Sequence, residues 1–126
     1  MKCKVLIASE DKNSNLLLSD QLCNSFEVHI VTDGKSASDF LVKNGHVDIL
    51  ICDYLTPSLN GIELAKRIKA SYSTGSMKIL MVASTLNPSL YVEMINSGVD
   101  AIVEKPFDLT NMESRLWKIL PEISQS

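Results

Sequence analysis

Polar and charged side chains follow four separate apolar runs of the sequence. The residues concerned are Ser9, Glu10 and Asp11 after the run 5–8, Asp53 after 49–52, Ser84 and Thr85 after 79–83, and Lys105 shortly after 101–103. The carboxyl ends of neighbouring parallel strands meet at one edge of a sheet, and active groups collect there. If the four runs are such strands, these side chains form one site.

The residue types at these points fit the chemistry of a phosphoryl group. Mg²⁺ binds one or two carboxylates and keeps several waters, so Glu10 and Asp53 are its expected ligands. An aspartate such as Asp53 also acts as a nucleophile and carries a phosphoryl group as an acyl phosphate. The ammonium group of Lys105 is a compact charge that neutralises phosphate oxygens. The combination carries the prediction, because single acidic residues beside loops are usually only solvated.

Five short runs have the composition of strands. Residues 5–8, 49–52 and 79–83 are continuously apolar, as in strands covered on both faces, and 101–103 is a shorter run of the same kind. Residues 26–31 alternate apolar with polar, which favours a strand near the edge of the sheet. Helical patterns lie between the runs. The chain is therefore predicted to be α/β, a (βα)5 fold with a parallel sheet between two layers of helices.

The apolar stripes of two helices predict which of their residues are buried. Apolar residues three or four apart share one face of a helix, and that face packs on the sheet. Leu90 lies off the stripe of the fourth helix and is expected to be exposed. The residues expected in the core are Leu17, Leu18 and Leu22 of the first helix and Tyr91, Met94 and Ile95 of the fourth.

The composition predicts one soluble domain over residues 1–126. The 12 basic and 15 acidic residues leave a net charge of −3, which argues against non-specific nucleic-acid binding. No apolar run approaches the ~20 residues of a membrane span, and the first residues lack a secretory signal pattern. The three cysteines have no C-x-x-C spacing, so neither a disulfide framework nor a zinc site is indicated. A cytoplasmic location is expected.

Two motifs resemble those of a known family. In residues 48–64 an apolar strand ends in Asp53, Pro57 follows four residues later, and Gly-x-Glu-Leu opens the next helix. This segment resembles the phosphoacceptor segment of the receiver domains of response regulators in two-component signalling. Residues 103–107 are similar to the family's Lys-Pro-Phe signature, and Lys105 lies 52 residues after Asp53, as in typical members. The two motifs occur in register on the (βα)5 pattern.

The resemblance implies a flavodoxin-like, doubly wound sheet of five parallel strands in the order 2-1-3-4-5. It implies that Asp53 accepts phosphate from a sensor histidine kinase or a phosphotransfer protein. Lys105 would contact the phosphoryl group and precede a cis peptide bond. The Mg²⁺ ligands implied besides Asp53 are Glu10, the backbone carbonyl of Leu55 and, if the acidic pair is shifted by one residue, Asp11.

The implied activity is signalling rather than catalysis. Family members relay the signal through the face formed by the fourth helix, the fifth strand and the fifth helix. An output domain, a partner protein or a second copy of the chain is expected to bind this face, and an exposed Leu90 beside Ile102 would suit such a surface. No direct contact with nucleic acid or with a membrane is expected.

The sequence departs from the family pattern at three positions. Ser9 stands where the first of two consecutive acids is usual, which predicts weaker Mg²⁺ binding. Ala83 occupies the switch position, usually Thr or Ser, so its side chain cannot donate to a phosphoryl oxygen. Ser84 is adjacent, but the alternation of a strand predicts that it points to the opposite side of the chain. Ile102 replaces the aromatic partner of the switch.

Two functional classes remain open. The first is a phosphoryl-accepting signalling module with weakened Mg²⁺ binding and altered output, which the presence of both Asp53 and Lys105 favours. The second is a degenerate receiver that binds partner proteins independently of phosphorylation. A phosphatase with an aspartate nucleophile would need Asp-x-Asp-x-Thr, and Leu55 stands where the second acid is required.

Overall fold

Strands and helices alternate along the described part of the chain. The structure is a computed structural model that describes residues 2–45, 47–71 and 76–120. Over these residues no helix is both long and apolar enough to cross a bilayer. The elements are β1 (Cys3–Ala8), α1 (Lys12–Leu22), β2 (Phe26–Val31), α2 (Gly34–Asn44), β3 (Ile49–Asp53), α3 (Gly61–Ala70), β4 (Lys78–Ala83), α4 (Pro88–Asn96), β5 (Ala101–Glu104) and α5 (Leu109–Ile119).

The strands form one parallel sheet in the order β2-β1-β3-β4-β5. This confirms the predicted (βα)5 fold and strand order. β1 and β3 have neighbours on both sides and helices on both faces, so their continuous apolar runs are buried. β2 lies at the edge, as its alternating pattern predicted, and it leaves Glu27 and Ile30 exposed.

The core has two layers, one on each face of the sheet. The layer between the sheet and helices α1 and α5, here the α1/α5 layer, contains Ile51, Leu18 and Met112 among others. The opposite layer, here the α2–α4 layer, contains Cys52 and Met94 together with residues of α2 and α3. Successive residues of each strand enter alternate layers. The sheet is therefore doubly wound, as predicted.

The predicted burial of helices α1 and α4 is partly wrong. Leu18, Leu22 and Met94 are buried as expected, but Leu17 is 55% exposed. Leu90 is half-buried against the α2–α4 layer rather than exposed, whereas Tyr91 and Ile95 are exposed at 48% and 43%. The reason is that each helix is rotated about its axis relative to the predicted orientation. The buried pairs Leu18/Leu22 and Leu90/Met94 are each four residues apart, and the misassigned residues lie next to them.

All five helices begin at an aspartate or asparagine side chain. Each cap accepts a hydrogen bond from a backbone N–H of the first turn, which has no carbonyl partner within the helix. In α3 the cap is reciprocal, because Asn60 accepts from the Glu63 N–H at 2.9 Å and the Glu63 carboxylate accepts from the Asn60 N–H at 3.1 Å. The caps are Asp11, Asp33, Asn60, Asn87 and Asp108. They fix the strand-to-helix turns at the carboxyl edge of the sheet.

Gly61 allows the start of α3 to pack closely on β4. A Cβ at this position would overlap the sulfur of Met81 and lie 3.1 Å from the Cα of Tyr54. The Gly61 N–H donates to the Tyr54 carbonyl at 2.8 Å, so the backbone cannot easily move away. Met81 is fully buried and has little room to adjust.

Gly61→Ala is therefore expected to lower the free energy of unfolding by about 1–3 kcal/mol, because the added methyl group overpacks the core. Urea unfolding followed by circular dichroism measures the change. Lys66→Ala, on the exposed face of the same helix, is the control and should stay within about 0.5 kcal/mol of the parent chain. Equal stability of Gly61→Ala and the parent would contradict the packing described.

Candidate functional site

Polar residues from the ends of four strands line one pocket at the carboxyl edge of the sheet, although Ser9 and Thr85 do not reach it. The pocket has a volume of about 200 Å³. It surrounds the end of β3, next to the point between β1 and β3 where the strand order reverses, which is the usual position of a ligand crevice in such sheets. Its lining residues are Glu10, Asp11, Asp53, Leu55, Thr56, Ser84 and Lys105.

Asp53 and Lys105 form an ion pair in this pocket. The Lys105 ammonium donates to Asp53 Oδ2 at 2.5 Å, and the Leu55 N–H donates to Asp53 Oδ1 at 3.1 Å. The Asp53 side chain is 16% exposed and that of Lys105 is 27% exposed. Both carboxylate oxygens therefore have a donor, yet solvent reaches the pair. The predicted meeting of the two residues is confirmed.

The register of the last three strands brings the pair together. Asp53 is level with Val82 in the neighbouring strand β4. The Lys105 N–H donates to the Ala83 carbonyl at 2.8 Å, so β5 stays attached to β4 one residue beyond its last strand residue. The Lys105-Pro106 peptide bond is cis, as the resemblance implies. The two registers leave Lys105 within reach of the carboxylate two strands away.

The two acids that follow β1 differ in their environment. Glu10 is exposed and lines the pocket with its carboxylate open to solvent. Asp11 is the N-cap of α1 and accepts from both the backbone N–H and the hydroxyl of Ser14 at 3.2 and 2.9 Å. Both hydrogen bonds lower the pKa of Asp11 below its usual value, and the bond from the Ser14 backbone has the larger effect. Both carboxylate oxygens of Asp11 are therefore engaged in capping α1, although the residue also lines the pocket.

The donor set of the pocket fits Mg²⁺ held by few protein ligands. Within residues 2–45, 47–71 and 76–120, no three His, Cys, Asp or Glu side chains are grouped as a metal cage. Mg²⁺ is usually bound through one or two carboxylates and keeps several waters, so a cage is not required. Glu10 and Asp53 supply the carboxylates, and Leu55 lies beside them.

Ser9 lies beneath the pocket and does not line it. It is 9% exposed, and its hydroxyl accepts from the Asp11 N–H at 3.1 Å. Its carbonyl accepts from the Asn15 side chain at 2.8 Å, while Asn15 Oδ1 is buried and has no partner among the described residues. A cavity of about 20 Å³ lies between these residues and the Asp53–Lys105 pair, which is room for one water.

Ala83 faces away from the pocket. It is 1% exposed and belongs to the α2–α4 layer, where Leu86, Leu90 and Ile102 pack against the same cluster. Its side chain therefore lies in apolar surroundings on the opposite face of the sheet from Asp53.

The position of Ile102 is also held by α5, because the backbone carbonyl of Ile102 accepts a hydrogen bond from Arg115 at 3.0 Å.

Ser84 lies on the other side of the chain from Ala83, as the alternation predicted. That side is the one that faces the pocket, and Ser84 lines it together with Asp53 and Lys105. Ser84 is therefore placed at the pocket, where the sequence predicts it among the polar residues that follow the strands. The sequence alone does not show which face of the sheet Asp53 occupies, and the register of β3 on β4 decides it.

Thr56 is a pocket residue that the sequence interpretation missed. Its hydroxyl donates to the Leu59 carbonyl at 2.7 Å, and the residue is 5% exposed. Its backbone N–H donates to the Asp53 carbonyl at 3.2 Å, which closes the turn after β3. The only available signal was a hydroxyl residue directly before Pro57 in the phosphoacceptor motif.

Cys52 lies directly behind the pocket, in the α2–α4 layer. Burial raises the pKa of its thiol to about 12, a hydrogen bond with Thr56 lowers it, and the charge of Asp53 raises it further. The thiol is therefore protonated at neutral pH. Because the thiolate is the reactive form, the raised pKa and the full burial of Cys52 both disfavour reaction of its thiol in the folded protein.

The raised pKa of Cys52 predicts a loss of stability in alkali. A thiol with a usual pKa of 9.0 ionises in the unfolded chain first, so its contribution is complete below pH 9 and is lost as the pH rises towards 12. The slope reaches about 1.4 kcal/mol per pH unit for one proton. Urea unfolding between pH 8 and 11 measures it, and Cys52→Ala should flatten the slope, whereas Cys23→Ala, at an exposed site, should not. Equal slopes in the two variants would contradict the burial of the thiol.

An apolar groove of about 370 Å³ borders the pocket on the side of α1. The groove shares Lys105 with the pocket and is also lined by the exposed side chain of Leu17. Leu55, on the turn after β3, lines the pocket itself and is 68% exposed. Exposed apolar side chains therefore border the polar pocket.

The chain is similar to known signalling proteins along most of its length. A family model described as the response regulator receiver domain matches residues 5–116. A chemotaxis protein CheY homolog of Campylobacter jejuni is 32% identical over 87 residues, which cover 69% of this chain and 67% of that protein. The transcriptional regulatory protein CpxR of Escherichia coli is 29% identical over 118 residues, which cover 93% of this chain and 49% of CpxR.

A solved structure shows the same fold. The chemotaxis response regulator CheY4 of Vibrio cholerae superposes with a TM-score of 0.88 at 23% identity, and the match covers 95% of this chain and 100% of that one. At this identity the likeness concerns the fold alone. The chain spans about half the length of CpxR, so the remaining half of that protein has no counterpart in the match.

Proposed function

Because the chain belongs to the response regulator receiver domain family, we propose that it accepts a phosphoryl group on Asp53 from a sensor histidine kinase or a histidine phosphotransfer protein. The observation that carries the proposal is the ion pair of Asp53 with Lys105 in an open pocket. The carboxylate is accessible to a donor, and the lysine is placed to stabilise the charge that arrives. Phosphoryl acceptance is the general function of the family.

The transfer uses residues already in place. One oxygen of the Asp53 carboxylate attacks phosphorus, the bond from phosphorus to the donor's imidazole nitrogen breaks, and the nitrogen keeps the electron pair. The product is an acyl phosphate on Asp53. The Lys105 ammonium leaves the carboxylate oxygen that it contacts at 2.5 Å and binds a phosphoryl oxygen instead. The Leu55 N–H holds the other carboxylate oxygen during the attack.

Mg²⁺ bound through Glu10, Asp53 and the carbonyl of Leu55 would offset negative charge on the phosphoryl oxygens. A partner protein as donor is supported by the apolar groove next to Lys105 and by exposed Leu17, which lines that groove and offers contact area beside the pocket. Binding of an output domain or a second copy through α4, β5 and α5 is proposed on the same terms, since Tyr91 and Ile95 are exposed there.

Incubation with phosphoramidate and Mg²⁺ is expected to add one phosphoryl group to the chain, and Asp53→Asn should abolish it because the amide oxygen is a poor nucleophile. Intact mass spectrometry measures the addition. Asp39→Asn, an exposed carboxylate of α2 outside the pocket, is the matched control and should be labelled like the parent. Labelling that persists in Asp53→Asn, or a parent chain that no donor labels, would overturn the proposal.

Although Ser9 does not line the pocket, it borders the small cavity beneath Asp53 and Lys105, and Ser9→Asp places a longer, charged side chain there. Mg²⁺ binding is expected to tighten about ten-fold, because a unit charge pair 4 Å apart contributes about 1 kcal/mol even in water and the cation is divalent. Amide shifts in NMR spectra report the titration, since Trp117 packs on Phe26 at 4.8 Å, away from the pocket. Ser9→Asn adds similar volume without charge and should leave the affinity near that of the parent. If Ser9→Asp binds no tighter than Ser9→Asn, the position does not contribute to the metal site.

A second candidate function is a phosphorylation-independent interaction module. The observation that favours it is the buried apolar setting of Ala83, with Leu90 and Ile102 packed against the same layer. The alanine at position 83 has no hydroxyl to connect the phosphoryl group with α4. This candidate requires that partner binding be unchanged in Asp53→Asn, which a pull-down with the cognate partner would show.

A further inference from the structure

Ser84 occupies a position in register with the reacting pair. Val82 and Val103 both belong to the α1/α5 layer and are paired across β4 and β5. Ser84 and Lys105 each follow two residues later, so alternation directs both side chains to the same face. Asp53 follows Ile51, which belongs to that layer too. The three side chains accordingly meet in the pocket of about 200 Å³.

The Ser84 hydroxyl is free to bind a ligand. Ser84 is exposed, and its side chain makes no hydrogen bond with any residue that the structure describes. The other hydroxyl that lines the pocket, that of Thr56, is buried and already donates to the Leu59 carbonyl at 2.7 Å. Thr85, next in the chain, is exposed and does not line the pocket. Ser84 is thus the available hydroxyl at this site among the described residues.

We propose that the Ser84 hydroxyl binds the phosphoryl group on Asp53, one position along the chain from the family's switch residue. The inference rests on the proposed function of Asp53. A phosphoryl group on this carboxylate presents three oxygens, each able to accept hydrogen bonds. Lys105 binds one of them, and the Ser84 O–H donates to another. The hydroxyl that Ala83 lacks is in this way supplied from the opposite side of β4.

Ser84 reaches the phosphoryl group by a smaller movement than a hydroxyl at position 83 would need. A switch hydroxyl at position 83 would have to move from the α2–α4 layer towards the phosphoryl group, and would carry its loop with it. Ser84 already faces the pocket and needs only a side-chain rotation, which is fast and inexpensive. It stabilises the phosphorylated state without displacing Leu90 or Ile102 from their layer.

The test compares beryllofluoride binding and phosphoramidate labelling in the parent, Ser84→Ala, Ser84→Thr and Thr85→Ala. Beryllofluoride with Mg²⁺ mimics the phosphoryl group on an aspartate and gives an equilibrium affinity by NMR titration. Ser84→Ala is expected to bind it about ten-fold more weakly and to be labelled about ten-fold more slowly, the effect of one lost bond to a charged oxygen. Ser84→Thr should restore most of both, and Thr85→Ala should match the parent.

The outcomes separate this inference from the proposed function. If the parent is labelled at Asp53 and Ser84→Ala behaves like it in both measurements, the role of Ser84 is overturned and phosphoryl acceptance stands. If the parent is not labelled at all, both proposals fall. Ser84→Ala should unfold at the same urea concentration as the parent, because the residue is exposed and unbonded, so the comparison does not depend on a folding defect.

Discussion

The contact between the Asp53 carboxylate and the Lys105 ammonium depends on the pairing of the three strands β3, β4 and β5. The two residues are 52 positions apart in sequence and lie at the ends of strands that flank β4. Their distance is set by two backbone registers, β3 on β4 and β4 on β5. A slip of either register by one residue would turn one of the two side chains to the other face. The hydrophobic layers that hold the register therefore also hold the site.

The exposure of this pair suits the proposed phosphoryl transfer, in which the contact would be broken and remade. A fully buried ion pair would leave an expensive unpaired charge whenever the lysine moved. A fully exposed pair would be screened and weakly ordered. At 16% and 27% side-chain exposure, Asp53 and Lys105 lie between these limits. The Leu55 N–H keeps one carboxylate oxygen bonded when the ammonium leaves the other, so the carboxylate retains its orientation.

The fold and the meeting of the charged residues could be predicted because both follow from local patterns. Continuous apolar runs predict buried parallel strands, and the phosphoacceptor and Lys-Pro-Phe motifs place Asp53 and Lys105 at strand ends. The burial of single leucines could not be predicted, because the consecutive apolar residues Leu16 to Leu18 and Leu90 to Val92 allow two alternative stripes and only tertiary packing selects one. The closed turn of Thr56 depends on backbone geometry that its residue types do not specify.

The direction of Ser84 shows how a sheet separates two tasks that one residue usually combines. Alternation assigns Ala83 to the α2–α4 layer and Ser84 to the pocket, on opposite faces of β4. A bond to the phosphoryl group made by Ser84 stabilises phosphorylation whichever arrangement α4 adopts. A ligand shifts a conformational equilibrium only by its difference in affinity for the two states, so a bond present in both shifts nothing. Affinity for phosphate and the response of α4 are then independent quantities in this chain. Any response of α4 would have to arise from contacts other than a hydroxyl at position 83, where the half-buried Leu90 and Ile102 pack against the same layer as Ala83.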